Sequence, residues 1–142
     1  MFIGEFHHTL DDKGRLAIPV KFRAELKEGA VVTRGLDRSL FIYPKAEWIK
    51  WAEKWATLPL GQADNRAFTR LMLAGAMEVP LDNTGRVTLP EYLRVYAGVS
   101  KQVVITGLYN RLEIWDEEAW AKYTSHTERD SNDIAERLGS LV

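Results

Sequence analysis

The sequence predicts a mainly β protein with helices, of α+β character, in which two related repeats share one core as a pseudo-two-fold barrel. Three observations predict it. One block of residues occurs twice at a fixed spacing. The residues around each block alternate between apolar and polar, the period of a half-buried strand. Helical periodicity is confined to short stretches, a spacer between the copies and the tail.

The first copy reads Thr9-Leu10-Asp11-Asp12-Lys13-Gly14-Arg15-Leu16-Ala17-Ile18-Pro19, and the second reads Pro80-Leu81-Asp82-Asn83-Thr84-Gly85-Arg86-Val87-Thr88-Leu89-Pro90. Leu, Asp, Gly, Arg and Pro recur 71 residues apart. A second block, Gly35-Leu36-Asp37-Arg38-Ser39-Leu40-Phe41-Ile42, matches Gly107-Leu108-Tyr109-Asn110-Arg111-Leu112-Glu113-Ile114 at a spacing of 72, and Trp48 and Trp120 keep that spacing.

In each copy Asp-x-x-Gly is a tight turn, with the aspartate capping it and glycine taking positive φ. Phe6, His8 and Leu10 alternate before the first turn and Leu16 and Ile18 after it, so each copy is expected to open with a β-hairpin. Pro19 and Pro90 suit the start of a helix, and residues 20–26 and 91–96 read as short helices ended by Glu28-Gly29 and Ala97-Gly98. Two strands follow in each copy, at 30–33 and 40–43, then at 102–106 and 112–115. Residues 44–58 put Trp48, Trp51, Ala52 and Trp55 on one helical face, and residues 62–76 do the same with Phe68, Leu71, Met72 and Gly75. From Asp116 to Val142 the chain reads as helix broken around 125–131. The expected organisation is therefore repeat 1 at 5–47, a helical spacer at 48–75, repeat 2 at 76–119 and a C-terminal helical segment at 120–142. Four short strands and one helix bury too little surface to stand alone, so the repeats must share a core.

Composition narrows the function. Of the 142 residues, 46% are hydrophobic and 27% charged, a globular balance, and no apolar run reaches the length of a membrane span. No leader pattern is visible in Met1 to Glu5, and the absence of cysteine removes disulfides, zinc–thiolate sites and thiol catalysis, which suits a cytoplasmic protein. The net charge of −1 argues against a binder that relies on bulk charge. Residues 1–50 hold nine Lys/Arg against seven Asp/Glu, whereas residues 76–120 hold four against seven, so an anionic partner should prefer the first part.

The residues that carry a resemblance are Asp11-x-x-Gly14-Arg15 and Asp82-x-x-Gly85-Arg86, each followed by Ile18-Pro19 or Leu89-Pro90. They resemble the SpoVT-AbrB-type DNA-binding module. Two such modules in a chain of this length, beginning Met1-Phe2 and joined by a helical spacer, resemble the MraZ family over essentially the whole chain. The resemblance implies a double-split, swapped-hairpin barrel in which the two repeats replace the two chains of a single-repeat dimer. It also implies a nucleoid-associated regulator of the bacterial division and cell-wall gene cluster, including its own promoter, assembling as a ring-shaped homo-oligomer on double-stranded DNA. The second copy departs from the first, with Asn83-Thr84 in place of Asp12-Lys13.

The expected DNA contacts follow from side-chain chemistry. Arg15 and Arg86 sit just after the turns on projecting ribbons, and arginine pairs bidentately with guanine in the major groove, worth roughly 1–3 kcal/mol of discrimination. Lys13 suits a phosphate, and Lys21 and Arg23 are further phosphate candidates on the short helix. Asp11, Gly14, Asp82 and Gly85 are expected to shape the loops, the aspartates also steadying the arginines.

Other chemistries fit less well. His7 and His8 point to opposite faces of a strand and His126 is remote, so a structural role outweighs a metal site. The tryptophan stripe suits core or interface better than a ligand cage, and Glu117-Glu118 suits a helix start. No phosphate loop or nucleophile elbow is present, so neither catalysis nor a cofactor is expected. The alternative function is an antitoxin-like protein-interaction module, which would carry a disordered acidic tail that folds on its partner. The tail from Tyr123 to Val142 is short and only mildly acidic.

Overall fold

The computed structural model describes residues 1–142. Eight strands, six helices and three short helical turns follow in order. Strand β1 spans Phe2–Thr9 and β2 spans Arg15–Ala17; α1, Val20–Arg23, continues as a 3-10 turn through Leu26. Next come β3 (Ala30–Arg34), β4 (Leu40–Pro44), α2 (Lys45–Ala56) and α3 (Ala63–Thr69), the last closed by a π-helical turn to Ala74. The second half holds β5 (Met77–Val79), β6 (Arg86–Thr88), α4 (Glu91–Ala97), β7 (Gln102–Tyr109) and β8 (Leu112–Asp116). The C-terminal helices α5 (Glu117–Arg129) and α6 (Ser131–Leu138) meet at Asp130, inside the expected break, and a 3-10 turn ends at Leu141.

Strand pairing differs from expectation. The strands flanking each Asp-x-x-Gly turn do not form a hairpin with each other. β1 pairs antiparallel along its whole length with β7, from Phe2 opposite Tyr109 to Thr9 opposite Gln102. β2 instead pairs with β6 of the other repeat, with Leu16 opposite Val87. Pairing across the repeats sets Leu16 against Val87, both fully buried, and so closes the shared core over both halves. The result is a six-stranded antiparallel sheet in the order β1-β7-β8-β4-β3-β5 and a separate two-stranded ribbon, β2-β6. The expected barrel is not closed, since β1 and β5 remain sheet edges.

One hydrophobic cluster of 20 buried residues draws on both repeats. Residues equivalent by the repeat spacing are buried in it together: Leu16 and Val87, Ile18 and Leu89, Phe22 and Leu93, and Ile42 and Ile114. Such burial is worth about 1.5–3 kcal/mol for each large side chain. Phe22 on α1 meets Phe2 and Phe6 edge-on, with ring centroids 5.2 and 5.3 Å away. The tryptophan stripe of α2 forms a smaller cluster on the outer side of β4, where Trp48, Trp51, Trp55 and Phe68 cover Phe41, Tyr43 and Met72. This burial pushes the Tyr43 hydroxyl up to about 12.

The histidines separate as their alternation requires. His8 is half-buried, and burial lowers its pKa. His7 is exposed, and its two ring nitrogens lie 3.3 Å from carboxylates of Glu5 and Glu117, which raise its pKa. Glu5 also accepts a hydrogen bond from the Trp120 indole, so β1 and α5 are tied together. No helix is long and apolar enough to cross a membrane.

Candidate nucleic-acid interface

Each loop is built around one aspartate. Asp11 Oδ1 accepts hydrogen bonds from the backbone N–H groups of Lys13 and Arg15, both at 2.9 Å. Its Oδ2 accepts from Arg15 Nε at 2.5 Å. Asp82 repeats the pattern, with Oδ1 accepting from the Thr84 and Arg86 amides at 2.9 Å and Oδ2 from Arg86 Nε at 2.9 Å. The Thr84 hydroxyl adds a further bond of 2.9 Å to Asp82 Oδ1, so the second loop gains a local tether where the first has the exposed Lys13. Gly14 and Gly85 close the turns with φ of 76° and 79°, a conformation glycine adopts at little cost. Their N–H groups donate to the Asp11 and Asp82 carbonyls at 3.0 Å.

These contacts set the electrostatics. The backbone N–H of Arg15 is the main cause holding Asp11 below the ordinary carboxylate range, and that of Arg86 does the same, more strongly, for Asp82. A depressed folded pKa means that the carboxylate's contribution is present above the unfolded value of about 3.9 and is lost as pH falls through the folded value. Both loops should therefore keep their shape down to about pH 4 and loosen only under stronger acid. Carboxyl carbon shifts followed by NMR should give midpoints below the ordinary range for Asp11 and Asp82, Asp82 the lower; ordinary midpoints would contradict the tether.

The two loops form one surface. In the β2-β6 ribbon Leu16 and Val87 are fully buried, whereas Arg15 lies opposite Thr88 and Ala17 opposite Arg86. Strand alternation therefore puts Arg15 and Arg86 on the same outward face. They come close enough that Arg86 Nη1 lies 3.8 Å from Asp11 Oδ2. Backbone hydrogen bonds lock the halves: Leu89 N–H donates to the Gly14 carbonyl at 2.9 Å, and Ile18 N–H donates to the Gly85 carbonyl at 3.0 Å. The separate projecting ribbons expected of each repeat are thus a single ribbon made jointly by both.

The remaining site residues are placed unequally. Lys13 is at the exposed tip of the first loop. Lys21 lies over the Phe6 ring, with Nζ 4.7 Å from its centroid. Arg23 is half-buried and donates Nε to the Ile18 carbonyl at 2.8 Å. Sequence reasoning missed its counterpart Arg94, 71 residues on, whose Nε donates to the Leu89 carbonyl at 3.0 Å. The repeat spacing, 71 residues from Arg23, is the signal that could have found it.

Comparison with known proteins fits this doubled arrangement. The family described as "MraZ protein, putative antitoxin-like" matches residues 1–71 and again residues 72–140. The chain is 49% identical over 138 residues to "Transcriptional regulator MraZ" of Natranaerobius thermophilus, covering 97% of this chain and 96% of that protein. It is 50% identical over 138 residues to the protein of that name from Oenococcus oeni, with the same coverage. It is 47% identical over 141 residues to the one from Caldanaerobacter subterraneus subsp. tengcongensis, covering 99% of both chains.

Proposed function

Because this chain belongs to the MraZ family, we propose that it is a transcriptional regulator, not an enzyme, and that it reads double-stranded DNA through the β2-β6 ribbon. The observation that carries this reading is the placement of Arg15 and Arg86 side by side on the outward face of a two-stranded ribbon. The major groove admits a ribbon of this width, and arginine matches the O6 and N7 acceptors of guanine. Each arginine has Nε fixed by an aspartate, which leaves its terminal nitrogens as donors. Holding the guanidinium in place before binding reduces the entropy lost on contact. Asp11 and Asp82 act on the loops and not on the DNA, since a carboxylate facing phosphates is repelled. Lys13 supplies a phosphate contact, with Lys21 as a flanking candidate.

A protomer with net charge −1 and few phosphate contacts binds weakly alone. We therefore also propose a ring-shaped homo-oligomer that presents many identical ribbons to a row of short repeated sites, where effective concentration supplies the avidity. The targets implied are the division and cell-wall cluster and the chain's own promoter, with the protein cytoplasmic and nucleoid-associated. A variant held monomeric with intact loops should lose most of its DNA affinity; unchanged binding would contradict the avidity argument.

The test is binding to duplex DNA from upstream of the chain's own gene, against a scrambled duplex, across a salt series with particle size measured in parallel. The expected result is preference for the natural duplex, a steep fall in affinity with salt and a particle larger than one chain. Equal affinity for both duplexes at every salt would overturn the reading. The antitoxin-like family description keeps a protein-partner reading as its alternative. Here the tail forms two helices with Leu138, Leu141 and Val142 exposed.

A further inference from the structure

We propose that Arg23 and Arg94 are positioning residues, each bracing the DNA-reading loop of the opposite repeat. The proposal rests on the DNA-binding reading above and assigns these two arginines a task other than holding phosphate.

The geometry crosses between the repeats. Arg94 follows Pro90 in the second repeat, yet its guanidinium fills the space beside Gly14 of the first loop. A Cβ placed on Gly14 would stand 2.8 Å from Arg94 Nε and 2.9 Å from Cζ, closer than packed atoms allow. Arg23 covers Gly85 of the second loop in the same way, with Nε and Cζ nearest. Both glycines are buried although they belong to surface loops.

Each brace is also anchored. Arg94 Nε donates to the Leu89 carbonyl, and the Leu89 N–H donates to the Gly14 carbonyl. Gly14, Leu89 and Arg94 therefore close a circuit, and Gly85, Ile18 and Arg23 close its pseudo-symmetric copy. Neither arginine has a carboxylate within ion-pair distance, so no acidic neighbour explains its placement. Gly14 directly precedes Arg15, and Gly85 directly precedes Arg86. A shift of either glycine moves the base of the reading arginine.

Only arginine suits this task. Its planar guanidinium lies on a glycine while Nε donates sideways, whereas the compact ammonium of lysine cannot do both. Glycine is required opposite it by the contact as well as by φ, which explains why the glycine and the arginine occur together in both copies.

The charge-conserving variants Arg94→Lys and Arg23→Lys test this. A brace predicts a roughly tenfold loss of preference for the natural over the scrambled duplex, within the contribution of one bidentate arginine contact, with the salt slope unchanged. It also predicts that Arg94→Lys is coupled more strongly to Arg15→Ala than to Arg86→Ala, and Arg23→Lys the reverse. In the free protein, Arg94→Lys should speed hydrogen exchange at the Lys13 and Arg15 amides. A phosphate contact predicts that the lysine variants retain their preference while Arg94→Ala lowers the salt slope by about one, and that outcome overturns the proposal. Unchanged amide exchange also overturns it. If wild type prefers no duplex, the DNA reading fails, and the exchange measurement still decides the brace.

Discussion

Arg15→Ala should abolish most of the preference for the natural duplex while leaving fold and particle size intact. Arg15 is half-buried on the outward face of the ribbon, and its side chain touches Asp11 rather than the core. Removing it deletes the donors proposed to enter the groove and leaves Leu16 and the shared cluster untouched. One bidentate contact to guanine is worth roughly 1–3 kcal/mol, about a 5- to 150-fold loss in discrimination. Nonspecific affinity at low salt should fall much less, because phosphate contacts carry it. Asp11 loses one partner but keeps its two backbone donors, so the loop should hold. The check is a competition titration with natural and scrambled duplexes. A variant that keeps its preference would remove Arg15 from the reading head.

Phe22→Ala should have the largest effect on stability. Phe22 is 1% exposed and packs edge-on against Phe2 and Phe6, so its removal opens a cavity between α1 and β1. Truncations of this kind cost about 3–5 kcal/mol, which for a chain of this size lowers the Tm by roughly 10 °C or more. Val20, on the same helix but 75% exposed, serves as the control, and Val20→Ala should change little. Urea denaturation of both variants checks the contrast. A loss under about 1 kcal/mol for Phe22→Ala would mean that the cluster repacks around the gap.

Much of the site was legible in the sequence because it is written twice. Asp11, Gly14 and Arg15 recur as Asp82, Gly85 and Arg86, and the turn chemistry of Asp and Gly is local, so the loops could be located without a fold. Helix positions were legible for a similar reason: Pro19, Pro44 and Pro90 each stand just before a helix. Strand partners were not. Alternation at Leu16 and Ile18 says that the segment is a strand, but the same pattern fits a hairpin with β1 and the observed pairing with β6, 71 residues away. Choosing between them needs the shape of the shared core. Arg94 was overlooked because, within Tyr92-Leu93-Arg94, an arginine beside a buried leucine looks like ordinary helix surface. Only the three-dimensional approach to Gly14 shows its second partner. The bridge from His7 and Glu5 to α5 joins residues more than 100 positions apart, and no local pattern announces it.

If the ribbon made by both repeats reads guanine in the major groove, blocking guanine N7 should abolish recognition. Methylation interference on the natural promoter duplex tests it most directly, because dimethyl sulfate marks guanine N7 in the major groove and adenine N3 in the minor groove. N7 methylation at guanines within each repeated site should block binding by wild type, and Arg15→Ala should lose interference at a defined subset of them. Interference confined to adenine N3, with guanine N7 methylation tolerated throughout, would contradict it.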